Sequence, residues 1–166
     1  SHAIIHFLFM SKIIGLTGPI GAGKDEVAKI LQKHGAYIIN ADHVAHALYS
    51  VQSPVWQELV RCCGSKILSR GGKVNRKKLG EIVFSDKRKL QELDRIVHPR
   101  LKKAIIEKIE NSTRNTEHRT RIIVINAAVL KEIGLIDYVD EVWVVMAPKG
   151  TRLRRMIKLG LSLIHI

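Results

Sequence analysis

Acidic residues are in short supply: 15 Asp and Glu face 28 Lys and Arg across 166 residues, a formal net charge of +13. The excess is concentrated in residues 61–121, where 18 Lys and Arg stand against 7 Asp and Glu, a net +11. Such a stretch attracts phosphate-rich partners, although a solvated basic face accounts for it equally well. Aromatic residues make up only 5% of the chain, too few for a row of base-stacking platforms. The two cysteines are neighbours, Cys62 and Cys63, which excludes a disulfide framework and leaves no spaced Cys/His set for zinc. Reduced thiols in a cytoplasmic protein are therefore expected. The apolar residues 1–9 are too few to span a bilayer and lack the basic start and cleavage site of a signal peptide. Residues 1–10 are expected to be a non-native or disordered tail, residues 1–9 standing ahead of a start at Met10.

What is present is alternation. Residues 12–16 are a short apolar run, read as a buried strand; 24–32 follow with Val27, Ala28, Ile30 and Leu31 on one helical face. Residues 37–39 read as a second strand and 42–49 as a helix. A helical middle spans 55–63, 76–84 and 87–108, with Pro99 placed in the first turn of a new helix. Residues 111–120 read as a polar loop, 122–125 and 142–145 as apolar strands, and 151–158 as a strongly basic helix. This order implies one α/β domain with a parallel central sheet, into which the helical middle is inserted so as to cap the carboxyl edge.

Between the first strand and the first helix stands Gly18, four residues, then Gly23-Lys24. Glycines at 18, 21 and 23 allow backbone N–H groups to approach phosphate oxygens, and the following helix aims its positive end at the same place. Lys24 adds a cation able to reach the β- and γ-phosphates of ATP. The expected ATP-binding set is Gly18, Gly21, Ala22, Gly23, Lys24, Asp25 and Glu26. One position departs from the rule, because Asp25 stands where a Ser or Thr hydroxyl normally ligates Mg²⁺. A carboxylate is a good hard ligand for that ion but repels phosphate unless metal sits between. Asp25 thus either tightens metal dependence, marks an impaired site, or simply stabilises the helix start.

Asp42 follows the second strand, at the sheet edge where ligands of open α/β sheets bind. It is placed to accept a proton from an attacking hydroxyl or to hold Mg²⁺ through water. An N-cap for a helix starting at His43 explains it equally well.

Several separated stretches, in order, resemble the dephospho-CoA kinase family: 14–24 (IGLTGPIGAGK), 39–42 (INAD), 74–84 (VNRKKLGEIVF) and 96–99 (IVHP), extended by 130–132 and 151–155. The resemblance covers residues 13–162. It implies a three-layer P-loop NTPase-like fold with a nucleotide-binding core at 11–50 and 121–148. It also implies an acceptor-binding helical insertion at 51–120 and the start of a lid at 149–166, the C-terminal part being missing. The implied activity is transfer of the ATP γ-phosphoryl group, with Mg²⁺, to the ribose 3′-hydroxyl of dephospho-CoA. In that frame Asp42 is the base, Lys24 and the loop amides hold ATP, and Thr17 lies near the phosphates. His98 and Pro99, with Asp42, serve the acceptor, and Arg155 is the lid arginine that neutralises the transferring group. Asp25 and Asp42 are the candidate metal residues. The family usually carries Asp where this chain has Asn40 and Asn126, so the metal-binding charge is expected to have moved into the loop at Asp25. The expected protein is a monomer or weak homo-oligomer with neither membrane nor nucleic acid as partner. The competing readings are another P-loop kinase of a nucleotide or metabolite, and a phosphate- or RNA-binding module without catalysis.

Overall fold

The computed structural model describes residues 11–114 and 122–158. The tail expected at 1–10, the loop residues 115–120 and the lid segment beyond 158 lie outside the described residues. Four strands, β1 (Lys12–Thr17), β2 (Tyr37–Asn40), β3 (Ile122–Asn126) and β4 (Glu141–Val144), form one sheet in the order β2-β3-β1-β4. Every pairing is parallel, as the continuous apolar runs predict. Ile123, Val124 and Ile125 are buried in succession, so β3 is covered on both faces.

The described residues up to Asn40 and from Glu107 onward form one compact unit, and Ala41–Ile106 form the other. In the first, α1 (Lys24–Lys33) lays Ala28, Val27 and Leu31 against Ile14, Leu16, Ala36 and Val124. Ile30, expected on the same face, is 56% exposed instead. At 100° per residue it lies about 100° from the centre of the stripe made by 27, 28 and 31, past the edge of the contact. Leu16 is wholly buried at the centre of this core. Leu16→Ala is expected to cost about 2–5 kcal/mol of stability, read as a lowered chemical-denaturation midpoint.

The second unit is helical: α2 (Ala41–Leu48), α3 (Pro54–Cys63), α4 (Arg76–Ser85) and the greater part of α5 (Lys87–Arg114). Ser53 caps α3 by accepting from the Trp56 amide at 3.0 Å with Pro54 in the first turn, and Asn75 caps α4 by accepting from the Lys78 amide at 3.2 Å. Val55, Leu59, Ile67, Leu79, Val83, Ile96 and Leu101 are buried between them.

Two expectations are corrected here. Pro99 does not begin a helix; it lies inside α5. An interior proline costs about 3 kcal/mol through its missing N–H and its clash with the preceding turn. The apolar stripe Ile96, Val97, Leu101, Ile105 is buried on both sides of it and offsets that cost. Arg100, the residue after the proline, adds a side-chain hydrogen bond to the Ile96 carbonyl at 2.8 Å. The polar residues 111–114, expected in a loop, continue α5, their Ser112 and Thr113 hydroxyls bonding back to the Ile109 and Glu110 carbonyls.

The cysteines are free thiols. Burial, reinforced by hydrogen bonds to Cys63 and Glu92, pushes the Cys62 thiol up to about 12, so it is a poor nucleophile at neutral pH.

Candidate active site

The loop after β1 is shaped by how closely it passes its neighbours. Gly18 has φ 146°, and a Cβ there would lie 2.3 Å from the Val145 carbonyl oxygen, so no other residue fits without displacing the backbone. Gly23 occupies the N-cap of α1 in the left-handed region, φ 103°, and supplies no side-chain cap. Its carbonyl takes the amides of Glu26 and Val27, at 3.1 and 3.2 Å. Among the described residues, the amides of Gly21, Gly23, Lys24 and Asp25 find no partner. The three consecutive open N–H groups of Gly23, Lys24 and Asp25 at the positive end of a helix, with that of Gly21 just before them, are an anion site.

The side chains around the loop have defined partners. Lys24 Nζ donates to the Gly18 carbonyl at 2.8 Å, which holds the ammonium across the loop. The Thr17 hydroxyl donates to the Ala128 carbonyl at 3.2 Å, tying the end of β1 to the segment after β3. Arg155, on α6 (Lys149–Lys158), donates through Nη1 to the carbonyls of Gly21 and Ala22, at 3.0 and 3.1 Å. In this state its guanidinium therefore braces the loop backbone. Glu26 turns away and pairs with Lys29 at 2.8 Å on the exposed side of α1.

Asp25 accepts from Asn126 Nδ2 at 2.7 Å, a contact joining positions 101 residues apart. Asn126 ends β3 opposite Leu16 in one register and Asn40 in the other, so the carboxyl ends of three strands align there. A polar residue closing an apolar strand was the signal in the sequence that marks this edge, but it does not reveal the partner. Among the described residues no three His, Cys, Asp or Glu side chains gather into a metal cluster. A lone hard carboxylate beside open amides fits a cation held largely by the ligand's own phosphates and water.

In the second unit, Asp42 is exposed in the first turn of α2, which begins at Ala41 and not at His43; the expected N-cap role is thereby excluded. Burial raises the Tyr49 phenol above its usual range; Arg76 opposes the rise, while Asp42 and Asp94 add to it. These four side chains therefore act on one neighbourhood. Tyr49 was not singled out from the sequence; it follows directly on the end of α2. His98 is half-buried and faces Asp94 one turn earlier, Nε2 to Oδ1 3.4 Å, while Pro99 is exposed.

A parallel sheet that delivers a glycine-rich loop and its lysine to an uncapped helix start defines a P-loop nucleotide-binding class of protein. The comparisons narrow the class. The model of the dephospho-CoA kinase family matches residues 12–162. The dephospho-CoA kinase of Aquifex aeolicus is 40% identical over 151 residues, covering 91% of this chain and 74% of that protein. That of Carboxydothermus hydrogenoformans is 39% identical over 145 residues, covering 87% and 69%. Among solved structures, TT1252 from Thermus thermophilus superposes with a TM-score of 0.73 at 30% identity, covering 91% of this chain and 74% of that one. The dephospho-CoA kinase from Campylobacter jejuni, at 16% identity and a TM-score of 0.58, shares the fold over 91% and 96% of the two chains. The chain belongs to the dephospho-CoA kinase family.

Proposed function

We propose that this chain transfers the γ-phosphoryl group of ATP to the ribose 3′-hydroxyl of dephospho-CoA, giving CoA and ADP. The observation that carries the reading is the run of open amides at Gly21, Gly23, Lys24 and Asp25, with the Lys24 ammonium already drawn across the loop. Those donors face the charge that spreads over the phosphoryl oxygens in the transition state. Lys24 stays with the β- and γ-phosphates through the transfer. Asp42 takes the proton of the 3′-hydroxyl as its oxygen bonds to the γ-phosphorus, and the bond from that phosphorus to the bridging oxygen of ADP breaks. His98, Pro99 and the basic middle of the chain serve the acceptor, whose pyrophosphate needs cationic partners. Arg155 braces the loop carbonyls, keeping the amides turned to the ligand, and its guanidinium neutralises charge on the transferring group. Asp25 and Asp42 are the candidate metal residues; Mg²⁺, when bound, offsets charge on the β- and γ-phosphate oxygens. Two free thiols fit a cytoplasmic enzyme, and no described helix is long and apolar enough to cross a membrane.

The test is acceptor choice. With γ-radiolabelled ATP and Mg²⁺, label is expected to pass to dephospho-CoA in preference to any nucleoside monophosphate. Equal or better turnover of a monophosphate removes the reading.

A further inference from the structure

We propose that Asn126 is a positioning residue for Asp25, and that the two side chains form a seat of one negative charge for the cation accompanying the nucleotide's phosphates. The inference rests on the phosphoryl-transfer reading above and deepens it.

Asn126 is the one buried polar residue among those described, 5% exposed. Sheet pairing holds its backbone on both sides, and the Ala127 amide bonds the Leu16 carbonyl at 3.0 Å just beyond it. Its side chain is thus set by the sheet. A carboxylate only accepts, so the Nδ2 end of the amide must face Asp25, as it does at 2.7 Å. This contact fixes one oxygen of Asp25. Among the described residues the other oxygen has no hydrogen bond, and Asp25 has no ion pair. The two nearest cations in sequence are engaged elsewhere, Lys24 with the Gly18 carbonyl and Lys29 with Glu26.

The chemistry of position 126 follows. A second carboxylate there would set like charges within hydrogen-bond distance of each other. A lysine or arginine would cancel the charge of Asp25. An amide orients the carboxylate and leaves its charge intact. A carboxylate beside a polyphosphate is stable only with a cation between them, so the intact charge points to a cation shared by Asp25 and the phosphates. Since the seat needs one charge rather than a particular owner, carboxylate and amide should be exchangeable between the two positions.

The experiment is a four-protein cycle: parent, Asp25→Asn, Asn126→Asp and Asp25→Asn/Asn126→Asp. Each is titrated with Mn²⁺ in the presence of ADP, with free Mn²⁺ followed by electron paramagnetic resonance, and each is melted in EDTA. Asp25→Asn is expected to weaken Mn²⁺ binding about tenfold or more. Asn126→Asp is expected to melt below the parent in EDTA and to regain more than the parent does when Mn²⁺ is added. The exchanged pair is expected to bind Mn²⁺ within about threefold of the parent. If Asn126→Asp does not fold alone, the exchanged pair, in which the buried acid keeps its amide partner, still decides the question. An exchanged pair as weak as Asp25→Asn overturns the inference, as does Asp25→Asn binding Mn²⁺ like the parent. Either result leaves the phosphoryl-transfer reading standing, because the parent still binds Mn²⁺ with ADP. A parent that shows no Mn²⁺-dependent ADP binding removes both.

Discussion

Asp42→Asn is expected to lower kcat for transfer to dephospho-CoA by about 10²- to 10⁴-fold, with the affinity for ATP measured without Mg²⁺ unchanged. Asparagine keeps the size and the acceptor oxygen of aspartate but cannot take up the hydroxyl proton. The side chain is exposed in the first turn of α2, two residues beyond Asn40 in sequence. An acid in that turn also favours the helix dipole, an effect of about 0.3–1 kcal/mol on stability and none on chemistry. Steady-state kinetics with a parallel melting curve separate the two roles. A variant that loses a degree or two of melting temperature and retains full kcat would show that Asp42 only stabilises α2.

Lys24→Met is expected to reduce kcat/KM by about 10²- to 10³-fold, with losses in both ATP affinity and kcat. Methionine preserves the length of the side chain, so the backbone course through Gly18 and Gly23 remains. What disappears is the ammonium that Gly18 holds across the loop at 2.8 Å. Because the open amides stay in place, nucleotide binding is expected to be weakened rather than abolished. Fluorescent-nucleotide titration beside single-turnover transfer measures the two losses separately. Unchanged transfer in this variant would mean that the loop binds phosphates without assisting their departure.

The phosphate loop was legible in the sequence because its causes are local. Positive φ at Gly18 and Gly23, an apolar strand before them and a helix after them follow from residue type and order alone. The parallel sheet was legible for the same reason, since 12–16, 37–39, 122–125 and 142–145 are short apolar runs separated by helical lengths of chain. Family membership was legible as well: four short stretches in fixed order, extended by two more, carry more information than the loop by itself.

Other features required the fold. Pro99 carries a strong local signal against a helix interior, and burial of Ile96, Val97, Leu101 and Ile105 overrides it. Ile30 sits at the margin of a helical stripe, and only the width of the contact with the sheet decides that it is exposed. Arg155 read as a cation on a basic helix or as a lid residue; the packing of α6 brings it to the Gly21 and Ala22 carbonyls. Asp25 and Asn126 read as related departures, a charge gained at one and lost at the other, with nothing in the sequence to say that the two side chains touch. Local chemistry determined the phosphate cradle, its lysine and the alternating order of the chain. Pairing of strands distant in sequence decided that the two departures are one contact of 2.7 Å, because the partner of a side chain is set by which backbones the sheet places side by side.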